Sequence, residues 1–380
     1  MPSEKIGFAE SVAMAVGGMV GGGIFAVLGV VAANAGTLAW FAFIVAGIIA
    51  LCAGYSFIRL NGLVEDLAGP IGYVEHFTGS ATLGGVVGWT FIVGYMGTMA
   101  MYAYAFGGYF IDLIGVHSLF GIPLRPVVSV LVVGSFVGLN ALGAHASGRT
   151  EDALVGAKVA ILLAFGIAGV YFAETHNGLS SGLASFGLKP IIATAVSFVA
   201  FEGWELLTFD QESIRNPKVT MRKAIYVSIV FTTGLYILVA VVTTNLLTPA
   251  VIQQNAETAL AVAAKPFFGS AGFILISIAA LFSTGSAINA TLFSSSRLAK
   301  QLVAEDLLPR QIKGHSEEPI RALLVLGVLT AAFSAVGSLD GVSSFASMSF
   351  IIIFGAISLL AFREHSNSIQ TWLIPGIGVI

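Results

Sequence analysis

The chain has 380 residues, of which 57% are hydrophobic and 10% charged, with a net charge of −3 and a mean hydropathy of +0.93. A soluble domain carries roughly 25% charged residues, so this composition excludes one, and it offers no basic surface for nucleic acid. Cys52 is the single cysteine, which excludes an internal disulfide.

The opening MPSEKIGFAE lacks the basic region and small-residue cleavage pattern of a secretory signal. Beyond it the chain holds roughly ten apolar runs, most near the 20 residues that cross a bilayer. Lipid requires such spans to be helical.

The first run, Phe8–Asn34, contains VGGMVGGGIF, with glycines at 17, 18, 21, 22 and 23. Each weakens a helix interior by about 1 kcal/mol relative to alanine. Two Gly-x-x-x-Gly spacings here are those of close helix packing. The other reading is a broken helix at Gly21–Gly23. Freed amides there would suit a carboxylate and freed carbonyls an ammonium, so the pair would suit an amino acid. The second run is Leu38–Leu60. Between it and the third, GPIGYVEHFTG (69–79) has the proline and glycines of a re-entrant or amphipathic loop. The third run, Thr82–Ile114, carries five aromatics from Tyr95 to Tyr109, of which Tyr102 is the candidate pocket residue.

After Pro126–Leu142, the fifth run, Leu154–Phe172, holds Lys158 among apolar residues. An ammonium here must find acceptors, reach the interface or lose its proton. Snorkelling to the nearby interface is one reading; a proton switch is the other. The sixth run, Ile191–Phe209, places Glu202, Gly203 and Glu205 mid-span, where isolated carboxylates mark a functional interior. Glu205 is read either as a proton relay or as a solvated acid in a vestibule; Glu202 could contribute only its backbone. The matching patches in runs one and six favour a site over mere packing.

Runs seven to ten are Ala224–Leu247, Gly269–Leu298, Ala322–Val336 and Val342–Phe362. Trp372–Ile380 reads as the start of a further span, and hence of a truncated chain. Five spans followed by five puts the second half upside down, the pattern of an inverted repeat with a midplane site. The halves are 1–173 and 188–363, with 364–380 outside them. With the N-terminus in the cytoplasm, thirteen of the 17 lysines and arginines fall inside and three outside, leaving Lys158 in a span. The basic loop Arg215–Lys223 serves that topology or binds anionic lipid. His76 and His117 read as loop or interface residues.

Gly18-x-x-Gly21-x-Gly23-Ile24-Phe25 resembles the first-helix signature of the amino acid–polyamine–organocation superfamily. Ala200-Phe201-Glu202-Gly203-Trp204, followed by Glu212 and Asn216-Pro217, resembles its sixth helix. ALFSTGSAINATLFSSSRLAKQLVAEDLLP, with Ser296-Arg297 and Asp306…Pro309, is similar to its eighth. Within the family the chain is most similar to archaeal proton-coupled transporters of broad amino acid specificity.

The resemblance implies an all-α integral membrane protein with the leucine-transporter fold: a 5+5 inverted repeat with discontinuous helices 1 and 6. It implies substrate held by the backbone of Val20, Gly21, Gly22, Gly23 and Ile24 and of Ala200, Phe201, Glu202, Gly203 and Trp204, with Phe201 as a lid. It also implies that the Lys158 amine replaces the sodium ion of sodium-coupled relatives. Ser283, Thr284 and a carbonyl near Gly18 or Met19 would complete that shell. Gln211-Glu212 stands where the family often has a double acid.

The function expected is proton-coupled, sodium-independent amino acid import across the cytoplasmic membrane. Its partners are the substrate, protons and lipid, and no cofactor or metal is implied. An uncoupled exchanger and a non-transporting receptor are the alternatives. No nucleotide loop, H-E-x-x-H or nucleophile–base pair speaks for an enzyme.

Overall fold

The computed structural model describes residues 5–64, 69–141, 148–176, 178–183, 187–304, 307, 320–364 and 368–379. Asp306, Pro309 and the 310–319 segment of the expected eighth-helix motif and its basic loop lie outside them, as do the side chains of Arg149 and Arg297.

Among the described residues the fold is helical, with one exposed hairpin, Ser118–Leu119 against Ile122–Pro123. The helices are α1 (Phe8–Ala35), α2 (Ala39–Leu63), α3 (Pro70–Thr78), α4 (Ala81–Ile114), α5 (Leu124–Ala141), α6 (Gly148–His176) and α7 (Lys189–Ser197). They continue with α8 (Leu206–Phe209), α9 (Pro217–Leu246), α10 (Pro249–Gln254), α11 (Ala259–Ala304), α12 (Ile320–Val336), α13 (Leu339–Arg363) and α14 (Ile369–Val379). Eight stretches are long and apolar enough to span a membrane, the first of which, Phe8–Leu63, contains both α1 and α2. Each of the ten expected runs coincides with one of these stretches or, for Ala322–Val336, with the shorter apolar helix α12.

The ends of the helices follow local chemistry. Ser80 caps α4 by accepting from the Leu83 N–H, and Gly115, at φ 69°, closes it in the left-handed conformation. Asn216 and Pro217 start α9, the asparagine itself left-handed at φ 49° and the proline at the first helical position. The 69–79 segment is a helix, α3, with Pro70, Ile71, Tyr73 and Val74 on its buried face. The eighth run begins earlier than expected, at Ala259, and bends at Gly269 (φ 61°, ψ −151°).

α1 lies at the centre, packed against α4, α6, α9, α11 and the segment between α7 and α8. Every residue from Met19 to Val27 is buried. Large apolar side chains face outward instead on the outer helices, with Leu131 63%, Ile167 65% and Val328 68% exposed. Such a belt suits hydrocarbon rather than water.

One expectation is overturned. α1 runs unbroken from Phe8 to Ala35, straight through Gly17–Gly23. Of the two runs expected to break, only the sixth does. The reason is space: the α1 glycines are filled from outside by neighbouring elements, so the helix keeps its backbone ladder and the missing Cβ atoms become contact surface.

Basic residues gather by end. Ile6 pairs with Ile214, the Arg215 N–H donates to the Ile6 carbonyl, Arg59 donates to the Glu364 carbonyl, and Lys218 Nζ to that of Val64. Arg125 sits at the opposite end, its guanidinium 3.6 Å from the centroid of the Tyr104 ring.

Candidate functional site

The break in run six is built residue by residue. α7 tightens into a 3-10 turn over Phe198–Phe201, Glu202 turns extended (φ −68°, ψ 144°), and Gly203 takes φ 125°. That conformation is open to glycine and strained for other residues. The freed Gly203 N–H donates to Glu205 Oε2 at 2.7 Å, so the side chain two residues on replaces the lost helical acceptor. α8 then restarts at Leu206.

The α1 glycines seat this break. A Cβ on Gly18 would lie 2.8 Å from Gly203 Cα, and one on Gly23 2.8 Å from Ala200 Cα. The Tyr102 ring occupies the place of a Cβ on Gly22, Val155 that of Gly17, and Ala287 that of Gly21. The two candidate substrate strips, Val20–Ile24 and Ala200–Trp204, therefore do meet, with Tyr102 over them. Val20, Ile24, Ala200, Phe201 and Trp204 are each 0% exposed and Tyr102 2%. Trp204 turns away from α1, with its ring 5.1 Å from those of Phe57 and Phe354. Its contribution to the strip is backbone only.

A second set of groups reaches α1 through its carbonyls. Lys158 Nζ donates to the Gly17 carbonyl at 3.1 Å, and Ser283 Oγ to that of Val20 at 2.8 Å. The amine also lies 3.9 Å from where a Gly21 Cβ would stand. Lys158 is 5% exposed, and its amine has an acceptor inside the bundle. Two details differ from expectation. The first-helix carbonyl is that of Gly17, not Gly18 or Met19. Thr284 bonds back to Ala280 of its own helix at 2.7 Å and takes no part. Gly18 serves instead as the contact for Gly203.

Glu205 is 0% exposed, which removes the solvated-vestibule reading. Its Oε1 lies 3.5 Å from the Tyr95 hydroxyl. Glu202 is 4% exposed and is not merely a backbone contributor: its Oε2 meets Thr98 Oγ1 at 2.5 Å.

Sequence reasoning missed Thr98 and Tyr236. The Tyr236 hydroxyl lies 2.6 Å from the Met19 carbonyl and 2.8 Å from that of Ala200, so it clasps α1 to the broken segment. The signal was a single hydroxyl in an apolar stretch of α9, too weak to separate from packing.

The far end of α1 is closed by the turn after α10. The Ala256 backbone stands against Gly29, and the Glu257 carboxyl against Gly108. Burial pushes the Glu257 carboxyl above the usual carboxylate range, with Arg125 pulling the other way.

The family comparison gives this interior its setting. Residues 6–380 match the family model of amino acid permeases. The chain belongs to that family. Among relatives of this permease, an uncharacterised protein of Methanocaldococcus jannaschii is 34% identical over 93% of this chain and 81% of its own. The inner membrane transport protein YbaT of Escherichia coli is 31% identical over 95% and 84%. The methylthioribose transporter of Bacillus subtilis is 24% identical over 97% and 83%. The permease is thus a multi-pass membrane protein that carries small molecules, not an enzyme.

Proposed function

We propose that the permease is a secondary active transporter that imports amino acids by alternating access, coupled to protons and independent of sodium. The N-terminus is cytoplasmic, and helices 1–173 and 188–363 form the two inverted halves, with 364–380 outside them. The meeting of the glycine strip of α1 with the open backbone of Ala200–Gly203 supports an amino acid as substrate. The opened backbone of Ala200–Gly203 reads the ammonium and carboxylate common to all amino acids, the α1 glycines shape the wall against it, and Phe201 and Tyr102 close over them.

The observation that carries the coupling is the convergence of Lys158 and Ser283 on neighbouring carbonyls of α1, at Gly17 and Val20. A protonated amine there ties α6 and α11 to α1, as a bound cation would. Loss of the proton weakens the tie and frees α1 to move. Glu205, buried and bonded to Gly203, links that movement to the break.

Uptake of labelled amino acids into proteoliposomes tests the reading, with an inward proton gradient, an inward sodium gradient, or neither. Wild type accumulates substrate with protons alone, and Lys158→Ala loses accumulation. Accumulation driven by sodium would overturn it. Exchange without accumulation would make the protein an uncoupled exchanger, and saturable binding without uptake a receptor.

A further inference from the structure

The coupling just described leaves one buried acid without a task. Glu202 and Glu205 lie three residues apart, with Gly203 and Trp204 between them, both in the bundle interior. Among the described residues no cation lies within ion-pair distance of either. Two carboxyls this close in a low-dielectric interior do not both ionise.

Their hydrogen bonds separate them. Glu205 Oε2 faces the Gly203 N–H at 2.7 Å, a donor that cannot reverse. A backbone N–H aimed at a carboxyl oxygen favours the ionised form. Glu202 faces a hydroxyl, which can either give or take. Thr98 Oγ1 stands 2.5 Å from Glu202 Oε2 and 3.1 Å from the Gly94 carbonyl, and it has one hydrogen for the two. When Glu202 carries a proton, it donates to Thr98, and Thr98 donates to Gly94. When Glu202 is ionised, Thr98 turns its hydrogen to the carboxylate, and the Gly94 carbonyl keeps only its helical partner. The neutral arrangement satisfies every group; the ionised one leaves a second negative charge beside Glu205.

Among the described residues, the other titratable groups around this pair are Tyr95 of α4, 3.5 Å from Glu205 Oε1, Tyr102 of α4, seated on Gly22, and Tyr236 of α9, bonded to the Ala200 carbonyl. All are phenols, uncharged at neutral pH. Lys158 stands beyond α1 with its amine on Gly17. The described residues that α1 and α13 pack on this segment, among them Gly18, Gly23, Ser347 and Phe354, are not titratable.

We infer that the Glu202 side chain carries a transported proton: it holds one while the site is closed and gives it up when opening of the broken segment lets water in. The proton passes from the Glu202 carboxyl to that water, and the Thr98 hydroxyl turns to the carboxylate left behind. This rests on the proton-coupled reading above, but assigns the carrier to the break in run six instead of Lys158 alone.

The test pairs transport with infrared spectroscopy. Proteoliposomes of wild type and Glu202→Gln are compared for proton-driven accumulation, normalised to counterflow exchange by the same liposomes. Glutamine keeps the neutral shape and cannot lose a proton, so the ratio is expected to fall to the passive level. At neutral pH the wild type should show a carboxylic C=O stretch that Glu202→Gln lacks. In Thr98→Val, which removes the partner and leaves the acid, that stretch should shift to higher frequency. Accumulation by Glu202→Gln at the wild-type ratio overturns the inference, as does the absence of a Glu202 band in wild type. Both results leave the Lys158 coupling standing if Lys158→Ala has lost accumulation. Absence of proton-driven accumulation in the wild type overturns both.

Discussion

Runs one and six carry the same helix-weakening signal and respond in opposite ways. The first holds five glycines within Gly17–Gly23 and stays helical; the sixth holds one glycine mid-run and breaks. The difference is what each segment offers its own backbone. In α1 side chains donate to the Gly17, Met19 and Val20 carbonyls, but among the described residues none accepts from an N–H of that stretch, so the i→i+4 ladder keeps its donors and the helix stays whole. In run six, Glu205 supplies an acceptor for the Gly203 N–H, and Tyr236 a donor to the Ala200 carbonyl. The helix breaks where a side chain takes over a backbone N–H, because an unpaired N–H in the membrane costs several kcal/mol.

Gly203→Ala attacks this contrast hardest. At φ 125° a Cβ is strained by roughly 1–3 kcal/mol, and it would also stand 2.5 Å from the Gly18 carbonyl carbon. Thermal unfolding of the purified protein should show the largest loss of the series, with uptake abolished. A stable, active Gly203→Ala would mean that the break does not need its glycine.

Gly22→Ala sharpens the other half. It forces the Tyr102 ring from its seat, an overpacking cost of about 1–3 kcal/mol, and should raise the Michaelis constant for uptake. Tyr102→Leu in the same chain should return part of the lost stability. Without that recovery in a double-mutant cycle, the glycine is not there to seat the ring.

The far end of α1 responds to pH. Burial raises the Glu257 carboxyl above its ordinary range, so the packed state of the 255–258 turn binds a proton that the open state releases. That contribution is complete in acid and is lost as pH rises through the Glu257 titration. Hydrogen-exchange protection over α10 and this turn, measured against the intrinsic rate at each pH, should therefore fall from acid to neutral pH, and Glu257→Gln should flatten that profile. An unchanged profile in the variant would assign the pH response to another group.

Ser283→Ala should have the smallest effect, about 1 kcal/mol of stability for one buried hydrogen bond. Since its partner is an α1 carbonyl already within a helix, a larger loss would show that the Val20 carbonyl has lost its helical partner.

The alternation of apolar and polar stretches along the chain was enough for the membrane class, the number of runs and most helix limits, because crossing lipid demands length and hydrophobicity that any single segment displays. The glycine strip, the mid-run acids and Lys158 were legible for the same reason: each is costly in a bilayer and so stands out locally. What Lys158 meets, which carbonyl it takes, that Thr284 bonds to its own helix and that Tyr236 and Thr98 belong to the site were decided only by packing. These contacts join residues 141, 217 and 104 positions apart, and a hydroxyl in an apolar run has no local mark of its partner. The tertiary structure also decided that α1 stays whole: a glycine weakens a helix by the same amount everywhere, but only the neighbours determine whether another structure is on offer.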